Sequence, residues 1–279
     1  MTGPEVRAPG FERQTMTTTV VKQRGQTISP DELSALNQRF ETASPQEILR
    51  WVDTCFGDRA AQMSSFGLED VALTDMYWRI TPRVRVMTLE TGRLPTETYT
   101  VMDQIKLRYD IEIEAFYPDF AAIDRMVQEH GFNLFYKSVD NRKLCCGVRK
   151  VEPLNRALNT LDAWVTGLRR DQGMARGQIN VVEWDPPHNN YKVNPLANWS
   201  FDQVQAYTKA NQVPYNELHD RGYPSIGCAP CTRAIKPGED LRAGRWWWET
   251  DPNAKECGLH VVQKADGSYS AGRARNGAH

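Results

Sequence analysis

No apolar run in the 279-residue chain approaches the roughly 18 residues that a membrane-spanning helix needs. The opening stretch, MTGPEVRAPGFERQTMTTTV, has no apolar core of the kind a secretory leader carries. A surplus of one charge is lacking too, since 34 Lys and Arg face 35 Asp and Glu. So balanced a chain is not a general binder of nucleic acid or anionic membrane, and any anionic ligand must be met by local charge. No G-K-[ST] follows its small-residue loop at Ser64, which excludes a Walker A site. We therefore expect a cytoplasmic protein with neither nucleic acid nor membrane as partner.

What is present is a chain 40% hydrophobic and 25% charged, enough for a core of one large domain. Its six cysteines are unevenly placed. Cys145 and Cys146 are adjacent in KLCCGVRK, and Cys228 and Cys231 bracket a C-A-P-C turn. In a reducing compartment such clusters read as metal ligands or catalysts before disulfides. Four thiolates suffice for one metal centre, and neighbouring cysteines reach the separated corners of a [4Fe-4S] cluster more easily than the knuckles of a zinc site. Zinc and a redox disulfide remain alternatives on spacing alone. Cys257, in KECGLH, has no resolving cysteine beside it and reads as a separate nucleophile. Glu256 before it would raise its pKa, so cationic neighbours must compensate, and His260 lies three residues beyond. Cys55, in WVDTCF, reads as a buried small hydrophobe.

Pattern divides the chain into a flexible tail (residues 1–28), an α/β body (29–245) and a mobile C-terminal segment (246–279) carrying Cys257. Ser29-Pro30 and Ser44-Pro45 each predict a helix start. VRVMTLE, IEIEAF and AWVTGL read as strands; TETYTVMDQIKLRY, DFAAIDRMVQEHGF and SFDQVQAYTKAN read as helices. Alternation of this kind implies a parallel sheet flanked by helices, with ligand at the strand C-terminal ends. Three loops could handle an anionic nucleotide: Ser64-Ser65-Phe66-Gly67 ahead of an apolar helix, Leu89-Glu90-Thr91-Gly92-Arg93, and Gly167-Leu168-Arg169-Arg170. Each also has a plain reading, as a capped turn, a turn with a solvated Arg, or a surface ion pair. Trp246, Trp247 and Trp248 read as packing aromatics before a base-stacking platform.

SSFGLED, LETGRLP, KLCCGVRK, WVTGLRRDQ, GYPSIGCAPCT, GEDLRAGRWWWE and KECGLH occur in one order between about Ser29 and His260. In that order they resemble the assimilatory sulfonucleotide reductases, and the cysteine pairs resemble the iron–sulfur branch acting on adenosine 5′-phosphosulfate (APS). The resemblance implies an adenine-nucleotide α-hydrolase-like α/β fold with an iron–sulfur-stapled C-terminal segment. It implies that Cys145, Cys146, Cys228 and Cys231 hold a [4Fe-4S] cluster, that Cys257 is the nucleophile, and that Lys150, Arg242 and Arg245 face the phosphosulfate. Around the nucleotide it places Ser64, Ser65, Phe66, Gly67, Leu89, Thr91, Gly92, Arg93, Gly167 and Arg170. The implied reaction reduces APS to sulfite and AMP through a Cys257 thiosulfonate that thioredoxin, or a glutaredoxin-like donor, resolves. Action on the 3′-phosphorylated substrate (PAPS), alone or as well, is the alternative, followed by an ATP-pyrophosphatase of similar fold and a zinc-stapled binding module. LETG stands where LDTG is usual, and Gln172-Gly173 replaces Gln-Ser. Oligomeric state is left open, a homo-oligomer included.

Overall fold

Ser29 and Ser44 open the first two helices, and each does so by a reciprocal capping box. The serine side chain accepts from the backbone of Glu32 or Glu47, and that glutamate accepts from the serine N–H. Proline occupies the first helical turn of both α1 (Pro30–Phe40) and α2 (Pro45–Phe56). The computed structural model describes residues 28–172 and 176–250 and two short strands, β7 (Val262–Gln263) and β8 (Tyr269–Ser270). The expected tail (1–28, bar Ile28) and most of the segment carrying Cys257, Glu256 and His260 lie outside the described residues.

Six strands form one sheet: β1 (Ala60–Met63), β2 (Val86–Leu89), β3 (Ile113–Phe116), β4 (Ala163–Val165), β5 (Val182–Asp185) and β6 (Asn190–Val193). Their order is β3-β2-β1-β4-β6-β5, and every pairing is parallel except β5 with β6. The expected helix-flanked α/β sheet is thus present but mostly, not wholly, parallel. The β5–β6 hairpin was not anticipated, because Asn190 and Lys192 spoil its apolar pattern. Both are buried: Asn190 Nδ2 donates to Leu158 O at 3.1 Å, and Lys192 pairs with Glu183 at 3.0 Å.

Side chains alternate strictly across the sheet. Ala60, Val86, Ala163 and Val165 enter the main core, with α2, α3 (Leu68–Trp78), α4 (Thr96–Tyr109) and α8 (Phe201–Ala210). Ala61, Met87 and Trp164 face the other way, onto Leu154, Ala157 and Leu158 of α7 (Glu152–Leu158). A sheet covered on both faces needs strands buried throughout, and β4 is buried at all three positions. Cys55 is half-buried against the main core, and burial pushes its thiol up to about 11. That keeps it an inert packing group.

The order of strand addition reverses between the parallel neighbours β1 and β4, so β2 and β3 lie to one side and β6 and β5 to the other. The crevice beyond the strand C-terminal ends at such a switch point is where open α/β sheets take ligands. A third cluster sits apart from the sheet, where Cys145, Cys228, Cys231 and Trp246 pack with Met126 of α5 (Phe120–His130), Leu134 and Phe135. Because Trp246 and Glu249 are buried, the folded body runs beyond the expected boundary at residue 245. Among the described residues, no helix is long and apolar enough to cross a membrane.

Candidate active site

The loops after β1, β2 and β4 open onto one cavity of about 210 Å³. Ser64, Ser65 and Gly67 line it from the first loop, Leu89 and Thr91 from the second, and Thr166 and Gly167 from the third. Lys150, Arg242 and Arg245 line it as well, bringing together three cations that are up to 95 positions apart in sequence.

The Ser64 loop does not form the empty backbone cradle its composition predicts. Three of its amides are committed inside the protein: Ser64 N to Met87 O at 2.8 Å, Ser65 N to Asp70 Oδ2 at 2.6 Å, and Phe66 N to Ser64 Oγ at 3.1 Å. Asp70 is buried, and burial raises its pKa to about 6 despite the Ser65 and Gly167 hydrogen bonds that oppose the shift. Lys150, Arg242 and Arg245 are cations that line the same cavity. Phe66 turns away from the cavity into the core, at a left-handed φ of 56°.

Two further expected positions lie elsewhere. Arg170 is absent from the cavity lining, because its guanidinium is held by Glu41 at 2.7 and 2.8 Å and by Ile179 O at 2.9 Å. Its neighbour Arg169 lines the cavity instead, with Nε on Glu69 Oε1 at 2.9 Å and a second contact to Asp171. Arg93 points to Phe132 O at 2.6 Å and stacks over Phe135 at 5.4 Å, beside the cysteines. Gly92, at φ 67°, supports that turn: a Cβ there would come within 3.2 Å of Arg149 Nη1.

His219 had no sequence signal and is a lining residue. A short helical turn, Glu217–His219, presents it, anchored by the buried Asn216, whose Nδ2 donates to Thr98 Oγ1 at 3.1 Å. Neither ring nitrogen has a hydrogen-bond partner among the described residues, and burial lowers its pKa against the pull of Glu69. A neutral imidazole there offers one donor and one acceptor to a ligand.

Next to this cavity lies a smaller one, of about 20 Å³, lined by Cys145, Cys146, Cys228 and Cys231. Cys145 and Cys146 end α6 (Val139–Cys146), a helix the sequence reading did not foresee, and one turn of π-helix, Gly147–Val151, follows. The wider turn carries Arg149 and Lys150 beside the thiols, as π-turns at functional sites often do. Lys150 lines both cavities. The C-A-P-C turn is bound back to the basic loop after it: Trp246 N donates to Cys231 O at 3.2 Å and Arg233 N to Gly244 O at 3.0 Å. Those bonds place Arg245 in the larger cavity and Trp246 against the cysteines.

Could this pocket of thiols hold a metal centre? All four are buried and none is in a disulfide. Burial raises Cys145, and it pushes Cys231 up to about 12. Ligation would therefore release protons. Arg93, Arg142, Arg149 and Lys150 border the cavity, and the buried Arg149 Nε and Trp246 Nε1 have no acceptor among the described residues. Soft anionic ligands ringed by cations and spare donors fit an anionic cluster. Among the described residues, no three Cys, His, Asp or Glu side chains close around a single ion.

Comparison with known proteins decides the family. Residues 59–234 match the phosphoadenosine phosphosulfate reductase domain. The chain belongs to the phosphoadenosine phosphosulfate reductase family. Within it the chain is 52% identical over 205 residues to an adenosine 5′-phosphosulfate reductase of Burkholderia cepacia, covering 74% of this chain and 82% of that one. It is 51% identical over 208 residues to the enzyme of the same name from Allochromatium vinosum, covering 75% and 81%. Among solved structures it is similar to phosphoadenylyl-sulfate reductase of Candida auris, with a TM-score of 0.65 at 31% identity over 75% of this chain and 99% of that one. The family match spans three of the nucleotide loops and all four clustered cysteines, whereas Arg242, Arg245 and Cys257 lie beyond it.

Proposed function

We propose that this family member reduces APS to sulfite and AMP in sulfate assimilation. One observation carries the reading beyond the family: a cavity lined by Lys150, Arg242 and Arg245 shares the Lys150 side chain with a pocket of four cysteines. The relatives near 50% identity bear the APS name, and the PAPS-named structure is at 31%.

In this reading AMP sits against the β1, β2 and β4 loops, and the three cations offset charge on the bridging and terminal oxygens of the phosphosulfate. The Cys257 thiolate attacks sulfur; an S–S bond forms as the S–O bond to phosphate breaks, and AMP leaves with the electron pair. The product is a thiosulfonate on Cys257. A thiolate of an external dithiol, thioredoxin or a glutaredoxin-like protein, then attacks Cys257 Sγ and expels sulfite. Its second thiol resolves the mixed disulfide, so the donor is oxidised by two electrons and Cys257 returns as thiolate. Cys145, Cys146, Cys228 and Cys231 would hold a [4Fe-4S] cluster, which would supply fixed charge and shape beside the pocket. Lys150 lines both that site and the substrate cavity, and Arg149 fixes the wall by donating from Nη1 to Thr91 O at 2.6 Å.

Anaerobically purified protein is given APS, or PAPS in parallel, with reduced thioredoxin, and sulfite is measured. Release from APS that disappears in Cys257→Ser is the expected result. Full activity in Cys257→Ser, or release from PAPS alone, would contradict the reading.

A further inference from the structure

Both ring nitrogens of His219 are closed off from solvent, and neither has a hydrogen-bond partner among the described residues. The ring nevertheless lines the substrate cavity. An unmet buried nitrogen is destabilising, and a fold that keeps one at a cavity wall does so where a ligand completes it. Nor is the ring there because its turn is loose. His219 N donates to Asn216 O at 3.0 Å, Gly222 N to His219 O at 3.3 Å, and Tyr223 N to Leu218 O at 3.1 Å. Asn216 is buried, and besides its bond to Thr98 its Oδ1 accepts from Leu218 N at 3.0 Å. The imidazole is therefore held in the wall before a ligand arrives, and binding does not have to order it.

Its chemistry narrows what it meets. Phosphate and sulfate oxygens are charged acceptors, and Lys150, Arg242 and Arg245 already bring donors of matching charge to the same cavity. Burial disfavours the imidazolium that would join them, although Glu69 and Asp220 favour it. A neutral ring carries one N–H and one bare nitrogen. The Tyr223 backbone favours a proton on the ring without completing a hydrogen bond, which leaves the other nitrogen to accept. That nitrogen finds no partner in an oxyanion and needs a group that can donate. A hydroxyl both donates and accepts, so it suits either nitrogen. In an adenosine nucleotide the ribose carries the hydroxyls.

We propose that His219 is a substrate-contact residue that hydrogen-bonds a ribose hydroxyl of the bound nucleotide. The inference rests on the nucleotide site proposed above.

The test is equilibrium binding of AMP, 2′-deoxy-AMP and 3′-deoxy-AMP to the full-length protein and to His219→Phe, with a melting curve for each protein. Phenylalanine keeps a ring of similar size and deletes both nitrogens. The expected result is an AMP affinity lower by about tenfold in the variant. One of the two deoxy analogues, already weaker on wild type, then binds both proteins within about twofold, because the hydroxyl and the imidazole report the same contact. The free variant melts no lower than wild type, since two unmet nitrogens are gone. His219→Asn, whose amide can still donate and accept, falls between the two for AMP. AMP affinity in His219→Phe within about twofold of wild type overturns the inference. A loss of equal size for all three nucleotides overturns it too, because the imidazole would then touch another group or only shape the wall. If wild type binds no AMP, the nucleotide reading fails and the inference with it. If wild type binds AMP and His219→Phe binds it equally well, only the inference fails.

Discussion

Thr91 Oγ1 lies 3.4 Å from Cys228 Sγ, so the loop edging the nucleotide cavity and the C-A-P-C turn share a wall. A backbone bond from Ala229 N to Arg93 O at 2.8 Å runs alongside it. Substrate cavity and cysteine pocket are thereby coupled through the backbone of two short loops.

Thr91→Val removes one hydroxyl at nearly constant volume. It deprives Cys228 of its neighbour and Arg93 N of an acceptor at 3.2 Å. A donor left unmet costs about 1–3 kcal/mol when buried, and less here because Arg93 is only half-buried. The expected outcome is a lower urea midpoint and faster bleaching in air of the visible absorbance of the proposed cluster than in wild type. Equal bleaching rates would show that the hydroxyl does not guard the cysteine pocket.

Asp70 gives a pH dependence whose sign is opposite to that of most carboxylates. Its folded pKa, about 6, lies above the ordinary 3.8 because burial disfavours the charged form. The folded state therefore holds this proton more tightly than the unfolded chain does. Its contribution is fully present below about pH 4 and is lost as pH rises through about 6, a change of about 3 kcal/mol for two units. Asp70→Asn, which can still accept from Ser65 N, should gain stability relative to wild type as pH rises across that window. Parallel urea curves at pH 4.5 and 7 check this, and a constant difference between the two proteins would refute it.

Much of the fold was legible because its signals are local. The Ser-Pro starts of α1 and α2 carry their caps within four residues, and β2 shows its β-rich run directly. The clustering of the four cysteines was legible from residue type. What stayed hidden depends on distant partners. Asn190 and Lys192 look unlike strand residues until Leu158 O and Glu183 satisfy them. The helix holding Cys145 and Cys146 was masked by Gly147 and Pro153, which a π-turn and a helix start accommodate. His219 enters the cavity through a turn anchored 118 residues away, on Thr98. The backbone amides around Ser64 looked available only because Asp70 and Met87 O were not yet in place.

Gly227 tests how Arg245 is held. A Cβ built on Gly227 falls 2.6 Å from the Arg245 guanidinium carbon. Gly227→Ala must therefore push that cation aside, although the Gly227 backbone itself needs no special conformation. The expected outcome is weaker AMP binding, by about tenfold for a lost charge-assisted contact, with the absorbance of the proposed cluster kept. Adding Arg245→Ala to Gly227→Ala should cost little more, because both act on one group. Additive losses would place the glycine's effect elsewhere.

Arg169 and Arg170 are adjacent in sequence, yet only the first lines the cavity. Glu41, 129 residues earlier, decides which, by drawing Arg170 outward in a pair whose Glu41 carboxyl is held below its ordinary range by that guanidinium. The Arg170 and Glu41 side chains are 27% and 43% exposed, so their pair is worth at most about 1 kcal/mol. Arg170→Ala should accordingly lower thermal stability slightly and leave AMP affinity and sulfite release unchanged. Lys150→Ala removes a cation that lines both cavities and should do the reverse, reducing kcat/KM for APS by about a hundredfold, as loss of one transition-state charge contact does elsewhere. Melting curves and initial rates on the two variants separate the roles. A large activity loss in Arg170→Ala would mean that this arginine leaves Glu41 and turns into the cavity when substrate binds.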